Sequence, residues 1–232
     1  YFGIRASVGG LLRLTAVCIF YSVGLYSLAA ASGIVGWSFG SWIESWMVYT
    51  HTDLWYVPAY MLLYLLRPFL NAAMASLTER QMTLWTAMFT IANIWCGWVW
   101  DATFNPTGYT PVQLIMMYLI GRWLARRDNS LVRHNVIMPI GIYLLSTGVT
   151  FAASLYMPAV KAFAYNAPWV IVSSVALFMF FARLNFRSTI VNMLAKGAFA
   201  AYLIHKNPLV WGGIVRPAAI DIWQQNSLIL YS

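Results

Sequence analysis

The sequence is poor in charge, and above all in negative charge. Of its 232 residues only 6 are Asp or Glu and 9% are charged in all, while 61% are hydrophobic and 17% aromatic. A soluble domain carries roughly a quarter charged residues, so an ordinary water-solvated globule is excluded. There is no H-E-x-x-H, no Walker loop, no G-x-S-x-G and no C-x-x-C pair, so zinc-hydrolase, nucleotide-hydrolysing and serine-hydrolase chemistry find no support. The only cysteines, Cys18 and Cys96, sit in different apolar blocks. They read as small core residues, because apolar burial suppresses thiolate chemistry. No internal repeat, low-complexity tract or cleavable signal peptide is visible, so an inverted-repeat transporter gains no support.

What is present is hydrophobicity in blocks of span length. Mean hydropathy is +0.68, and apolar runs cover about 8–30, 54–75, 82–100, 111–126, 135–157, 167–183 and 190–214. A helix needs about 20 such residues to cross a bilayer. The expected fold is therefore all-α, a polytopic membrane helical bundle of about seven spans forming a single integral-membrane domain over 1–232. The net charge of +8 belongs to that reading and not to nucleic-acid binding, since basic residues gather in cytoplasmic loops. Arg5 and Arg13 precede the first span, and Arg122, Arg126, Arg127 and Arg133 follow the fourth. Loop 31–53 has no Lys or Arg. The alternation puts the N-terminal side and the arginine cluster in the cytoplasm, in a multi-pass plasma-membrane or inner-membrane protein, with 31–53 outside. That loop, rich in Trp and Ser, is either a re-entrant or interfacial element or an aromatic belt.

Polar residues within the spans are arranged, not scattered. In "HTDLWYVPAYMLLYLLRPFLN", residues 51–71, Tyr56, Tyr60, Tyr64, Arg67 and Asn71 are spaced 4, 4, 3 and 4. At about 100° per residue they occupy an arc of roughly 80°. Asp53 is a candidate N-cap, and Pro68 predicts a kink. A lipid-facing Arg costs at least ~2.5 kcal/mol near the bilayer centre. Snorkelling would relieve Arg67 alone, whereas five polar positions in register point to a cavity wall. A structural polar seam is the other reading. In "AAYLIHKNPLV", Tyr202, His205 and Lys206 share a face at i, i+3 and i+4, with Pro208 predicting a second kink. His205 is a general base, a hydrogen-bonding partner of a glycan, or a structural histidine. Tyr118 and Arg122 are i, i+4 partners, and Gly121 between them permits close helix approach. Arg126, Arg127 and Arg133 follow the positive-inside bias or bind phosphates. His134 is interfacial. Asn93 requires a partner inside the bundle. His51 lies off the stripe.

These stretches resemble the membrane-bound acyltransferase-3 family. "LWYVPAYMLLYLLRPFLN" is similar to its Trp-Tyr/Phe-x-x-x-Tyr-x-x-Leu-Tyr-Leu-Leu-x-Pro-x-Leu-Asn stretch, "IMMYLIGRWLARR" to its Tyr-Leu-Ile-Gly helix, and "AAYLIHKNPLV" to its Tyr-Leu-Ile-His segment. The matches keep the family's order across 54–210. The resemblance implies about ten helices in the whole protein, with this chain starting at the third and stopping before the last. A start at Tyr1 without methionine fits such an expectation. It implies an O-acyltransferase with no bound cofactor, which moves an acyl group, commonly acetyl, from cytoplasmic acyl-CoA to a cell-surface polysaccharide or lipid-linked sugar. The catalytic histidine is expected before Tyr1. Arg5 and Arg13 loosely match the family's paired arginines. Tyr60, Arg67, Asn71, Tyr202 and His205 carry over as motif positions. The candidate supporting residues are then Arg67 and His205, which could help activate the hydroxyl and stabilise the oxyanion. Candidate substrate-binding positions are Arg5, Arg13, Trp55, Tyr56, Tyr60 and Tyr64, with Asn71, Tyr118, Arg122, Tyr202 and Lys206; no metal is expected. The expected partners are the lipid bilayer, acyl-CoA and a glycan acceptor, with no nucleic acid. A transporter whose stripes line a solute path, or a non-catalytic component of envelope assembly, are the competing readings.

Overall fold

Every apolar block is helical, and the last of them is divided at Asn207–Pro208. The computed structural model describes residues 8–48, 54–100, 105–126, 137–184 and 188–230, and no strand occurs among them. The helices are α1 (Val8–Ala31), α2 (Phe39–Trp46), α3 (Tyr56–Ser76), α4 (Glu79–Asn93), α5 (Pro111–Arg126), α6 (Ile137–Tyr156), α7 (Pro168–Arg183), α8 (Thr189–His205) and α9 (Arg216–Leu230). The first six apolar runs match α1, α3, α4 with its continuation, α5, α6 and α7 to within a few residues. Two of the helices, α1 and α6, are long and apolar enough to cross a membrane, and α7 is a shorter apolar helix. The stripe lowers the hydropathy of α3, although its 21 residues are length enough to span. Leu12, Phe20 and Leu28 on α1, and Leu144, Phe151 and Leu155 on α6, are exposed. Large apolar side chains turned outward on these two helices are what a lipid-facing surface requires.

The structure corrects the expected seventh span. The run 190–214 is not one helix, because α8 ends at His205. Asn207 then caps a new turn, Pro208–Val210, its side chain accepting from the Leu209 N–H at 3.0 Å. Pro208 has no N–H to give the Ile204 carbonyl, which accepts from the Asn207 N–H at 3.2 Å instead. An Asn-Pro pair is a strong helix start, so it splits the run instead of bending it. At Pro68 the opposite holds: α3 continues through the proline without interruption. Helix α9 was not anticipated. Asp53 lies outside the described residues, as do His51, Arg127, Arg133 and His134.

Two compact units can be distinguished, one over Ala59–Arg187 and one joining Ser7–Pro58 to Ser188–Ser232. In the first, α4 packs on α5 and α6 on α7, around Met116, Ile120 and Ile171. The Thr78–Gln81 capping box starts α4, which runs on at its far end as a π-helical segment, Ile94–Val99. Wide turns of this kind interrupt helices mostly where function or packing requires it. In the second unit, α1 packs on α2 and α8, and Cys18, Val48, Leu54, Val57 and Leu203 form the core. Cys18 is thus the small core residue expected. Within the 31–53 loop, α2 is 8 residues long, too short to enter and leave a bilayer. Trp42 stacks with Phe39 and meets Trp46 edge-on, while Trp37, Phe39 and Trp46 remain exposed. That is the habit of an interfacial helix.

Candidate functional site

The stripe on α3 keeps its register because the helix is unbroken from Tyr56 to Asn71. Tyr56, Tyr64, Arg67 and Asn71 are half-buried and Tyr60 is 38% exposed. Its last member has a partner within the first unit: Tyr118 Oη donates to Asn71 Oδ1 at 2.8 Å. Arg122, one turn on from Tyr118, is half-buried. The same end of the unit shows what Arg126 does. Its Nη1 donates to the carbonyls of Met74 and Leu77, at 3.0 and 2.8 Å, and so satisfies carbonyls that the C-terminus of α3 would leave orphaned. The positive-inside bias does not exhaust its role.

In the second unit the first residue of the stripe meets the C-terminal motif. Tyr56 and Tyr202 lie 5.7 Å apart ring to ring, edge to face. Trp55 packs against Tyr56 at 5.9 Å, and Tyr202 against His205 at 5.8 Å. His205 is exposed, with Nδ1 2.9 Å from the Ala201 carbonyl. A carbonyl only accepts, so Nδ1 carries a proton, and in the tautomer this selects Nε2 is the hydrogen-bond acceptor. Lys206 leaves the shared face, its Nζ sitting 4.7 Å over the Trp211 ring. Arg13 is exposed on α1, and Arg5 lies outside the described residues.

A further polar cluster closes the opposite end of the first unit from Arg126. Asn93, Asn105 and Asn166 are each 0% exposed and Gln113 is 5% exposed. Asn93 Nδ2 donates to Gln113 Oε1 at 2.7 Å, and Asn105 Nδ2 to Asn93 Oδ1 at 2.6 Å. Thr110 Oγ1 donates to Asn105 Oδ1. Gln113 Nε2 donates to the Tyr165 carbonyl, and Asn166 Nδ2 to the Asn105 carbonyl, both at 2.7 Å. These bonds pin the 105–110 and 158–166 connections to the π-helical end of α4. Gly97 admits the closure: a Cβ there would lie 2.5 Å from Asn166 Nδ2 and 2.6 Å from the Asn105 carbonyl oxygen. Nearby, Tyr165 has its phenol pKa raised, first by desolvation and then by the adjacent Tyr109.

The model of the family described as an acyltransferase domain, acyltransferase-3, matches residues 3–231. The chain belongs to the acyltransferase-3 family. Its function is accordingly of the membrane acyltransferase kind. Neither the curated proteins nor the solved structures give a match. Of the motif positions that carried the resemblance, the structure joins Asn71 to Tyr118, and Trp55 and Tyr56 to Tyr202 and His205. In this acyltransferase, sequence reasoning missed the asparagine cluster. Its signals were amides stranded in apolar runs, Asn93 in "TIANIWCGW" and Gln113 in "PVQLIMM", flanking the turn "NPTG".

Proposed function

We propose that this acyltransferase moves an acyl group, most simply acetyl, from cytoplasmic acyl-CoA to a hydroxyl of a cell-surface polysaccharide or lipid-linked sugar. The bilayer in question is the plasma or inner membrane, with the basic end of the first unit in the cytoplasm. What carries the reading beyond the family is the Tyr56–Tyr202–His205 cluster, in which an exposed imidazole is fixed through Nδ1. Its Nε2 can accept a hydrogen bond from an incoming hydroxyl, the orientation a nucleophile needs. The hydroxyl oxygen forms a bond to the thioester carbonyl carbon and loses its proton to a base. The carbon–sulfur bond then breaks and CoA leaves as the thiol. The resemblance expects that base on a helix before Tyr1, which leaves His205 the task of orienting the acceptor. Arg67, the cation of the α3 stripe in the first unit, is a separate candidate for offsetting charge on the developing oxyanion. Arg122, near the basic end of the first unit, would answer the CoA phosphates.

The test gives membranes carrying the full-length protein radiolabelled acetyl-CoA and follows label into surface polysaccharide. The expected result is transfer by the wild type and its loss in Arg67→Ala and His205→Ala, with membrane insertion retained in both. Solute accumulating in vesicles with no transferred acetyl group would overturn this reading in favour of a transporter.

A further inference from the structure

The asparagine cluster borders a cleft that the reaction above does not use. It has a volume of about 240 Å³ and is lined by Gly97, Trp98, Thr107, Pro158, Val160, Lys161, Ala164 and Asn166. All of these belong to the first unit, at the end away from Arg126. Asn166 is fully buried, and its Oδ1 has no hydrogen-bond partner. The amide cannot flip to relieve this, because Nδ2 is committed to the Asn105 carbonyl, which only accepts. An orphaned buried carbonyl oxygen is costly and calls for an explanation.

The surroundings specify what would satisfy it. Oδ1 needs a donor, which a bare carboxylate or phosphate does not offer. Lys161 brings donors to the same cleft, with its Nζ 5.8 Å over the Trp98 ring, so the ligand must also accept. Among the described lining residues Asp and Glu do not occur, so none of these residues selects a cation. The wall is the Trp98 indole, held by its Nε1–H on the Lys161 carbonyl at 3.0 Å and braced by Trp169 at 5.0 Å. Beside Thr107 and Asn166 in the chain, Tyr109 and Tyr165 form an exposed aromatic pair 4.8 Å apart. Amide acceptor, ammonium donor and aromatic faces together match a ring that carries hydroxyls on its edge and C–H groups on its face. The volume far exceeds the ≈ 30 Å³ share of one water and lies just below the range of drug-sized sites.

We propose that this cleft is a sugar-binding subsite, holding a non-reacting sugar unit of the acceptor through Asn166, Lys161 and Trp98. It rests on the acyltransferase reading for the identity of the ligand as acceptor, and on the cluster's geometry for the site itself. Binding energy gathered away from the reacting hydroxyl can be spent on orienting it.

The experiment titrates the full-length protein in nanodiscs with glucose, galactose, mannose and N-acetylglucosamine, read by saturation-transfer NMR, and measures acceptor and donor KM in the transfer assay. Val160→Trp is the decisive variant. Val160 lines the cleft and is 72% exposed, so an indole there has room to cover the cleft and is not built into the buried amide cluster. Lys161→Gln removes the ammonium and keeps the stem. At least one sugar should bind the wild type in the millimolar range and weaken tenfold or more in both variants. Acceptor KM should rise similarly, with kcat and the KM for acetyl-CoA unchanged. Transfer that proceeds with acceptor KM and sugar binding unaltered in Val160→Trp would overturn the subsite and leave the acyltransferase reading intact. Sugar binding lost in Val160→Trp, in a protein that transfers no acetyl group, would uphold the site and overturn the acyltransferase reading. No binding of any of the four sugars to the wild type would overturn the subsite.

Discussion

Asn105 donates its side-chain amide to Asn93 Oδ1 at 2.6 Å while both residues are wholly buried. The pair is the centre of a chain of amides from Gln113 to Asn166, and burial makes every member dependent on the others. Asn93→Leu removes one donor and one acceptor at once. Gln113 Oε1 would be left with the 3.4 Å contact from Asn105 alone. An unsatisfied buried polar group costs about 1–3 kcal/mol. Thermal unfolding in detergent should show a clear fall in Tm for this variant. An unchanged Tm would mean that the amides are individually dispensable.

The close approach at Gly97 yields a comparison with an internal control. A Cβ at Gly97 would press on Asn166 and on the Asn105 backbone, whereas one at Gly148 on α6 meets nothing within 4 Å. Gly97→Ala should therefore destabilise by more than 1 kcal/mol, as overpacking does. Gly148→Ala should be neutral or stabilising by about 0.5–1 kcal/mol through helix propensity. Equal effects at the two sites, measured by unfolding in the same detergent, would count against the packing described.

Helix identity was legible in the sequence because long apolar runs without turn residues favour helices: the runs alone located α1 and α3 to α7. The polar face of α3 was legible because 3.6-residue periodicity survives any tertiary context. The break at Asn207–Pro208 was legible as a disturbance but not as a split, since that depended on the Asn207 cap. Helix α9 went unseen because Arg216, Asp221, Gln224 and Gln225 carry no apolar period. The asparagine cluster was invisible for another reason. Its bonded amide residues stand 8 to 61 positions apart, and one sequence does not say which stranded amides pair across loops. Asn93 announced a need for a partner without naming one.

Arg126 makes a separate prediction about the end of α3. Its guanidinium caps the Met74 and Leu77 carbonyls from a solvent-exposed position, so water can replace part of what it supplies. Arg126→Gln should cost on the order of 1 kcal/mol. The loss should be local, visible as faster amide hydrogen exchange in a peptide covering residues 72–80, with peptides from α6 unchanged. Exchange equally protected in wild type and variant would assign Arg126 to loop charge alone.

The Tyr165 phenol offers a pH test at the rim of the cleft. Its pKa is raised above the ordinary 10.0 by desolvation and by Tyr109. The folded state thus holds the neutral phenol more firmly than the unfolded chain does. The stability linked to it is complete below pH 10 and is lost as pH rises through the higher folded value. Above pH 10 the wild type should lose stability faster than Tyr165→Phe. Parallel alkaline denaturation curves would place the phenol in an ordinary aqueous setting.

The Tyr118–Asn71 bond joins two positions that the motif resemblance singled out separately, and a double-mutant cycle can decide whether they act together. Tyr118→Phe deletes only the donor, and Asn71→Leu removes the acceptor at similar volume. Interhelical hydrogen bonds in a membrane protein couple by about 0.6 kcal/mol on average and up to about 1.7. The cycle on unfolding free energy should fall in that range, because the unfolded chain in detergent regains partners for both groups. The more informative cycle is run on transfer rate. If the pair only braces α3 against α5, each single variant and the double variant should lower stability while kcat of the remaining folded protein stays level. If Asn71 and Tyr118 hold the stripe in its working register, the two single variants should each lower kcat, and the double variant should be no worse than either. The hydrogen bond predicts the second pattern, since its loss frees the same end of the same polar face whichever partner is removed.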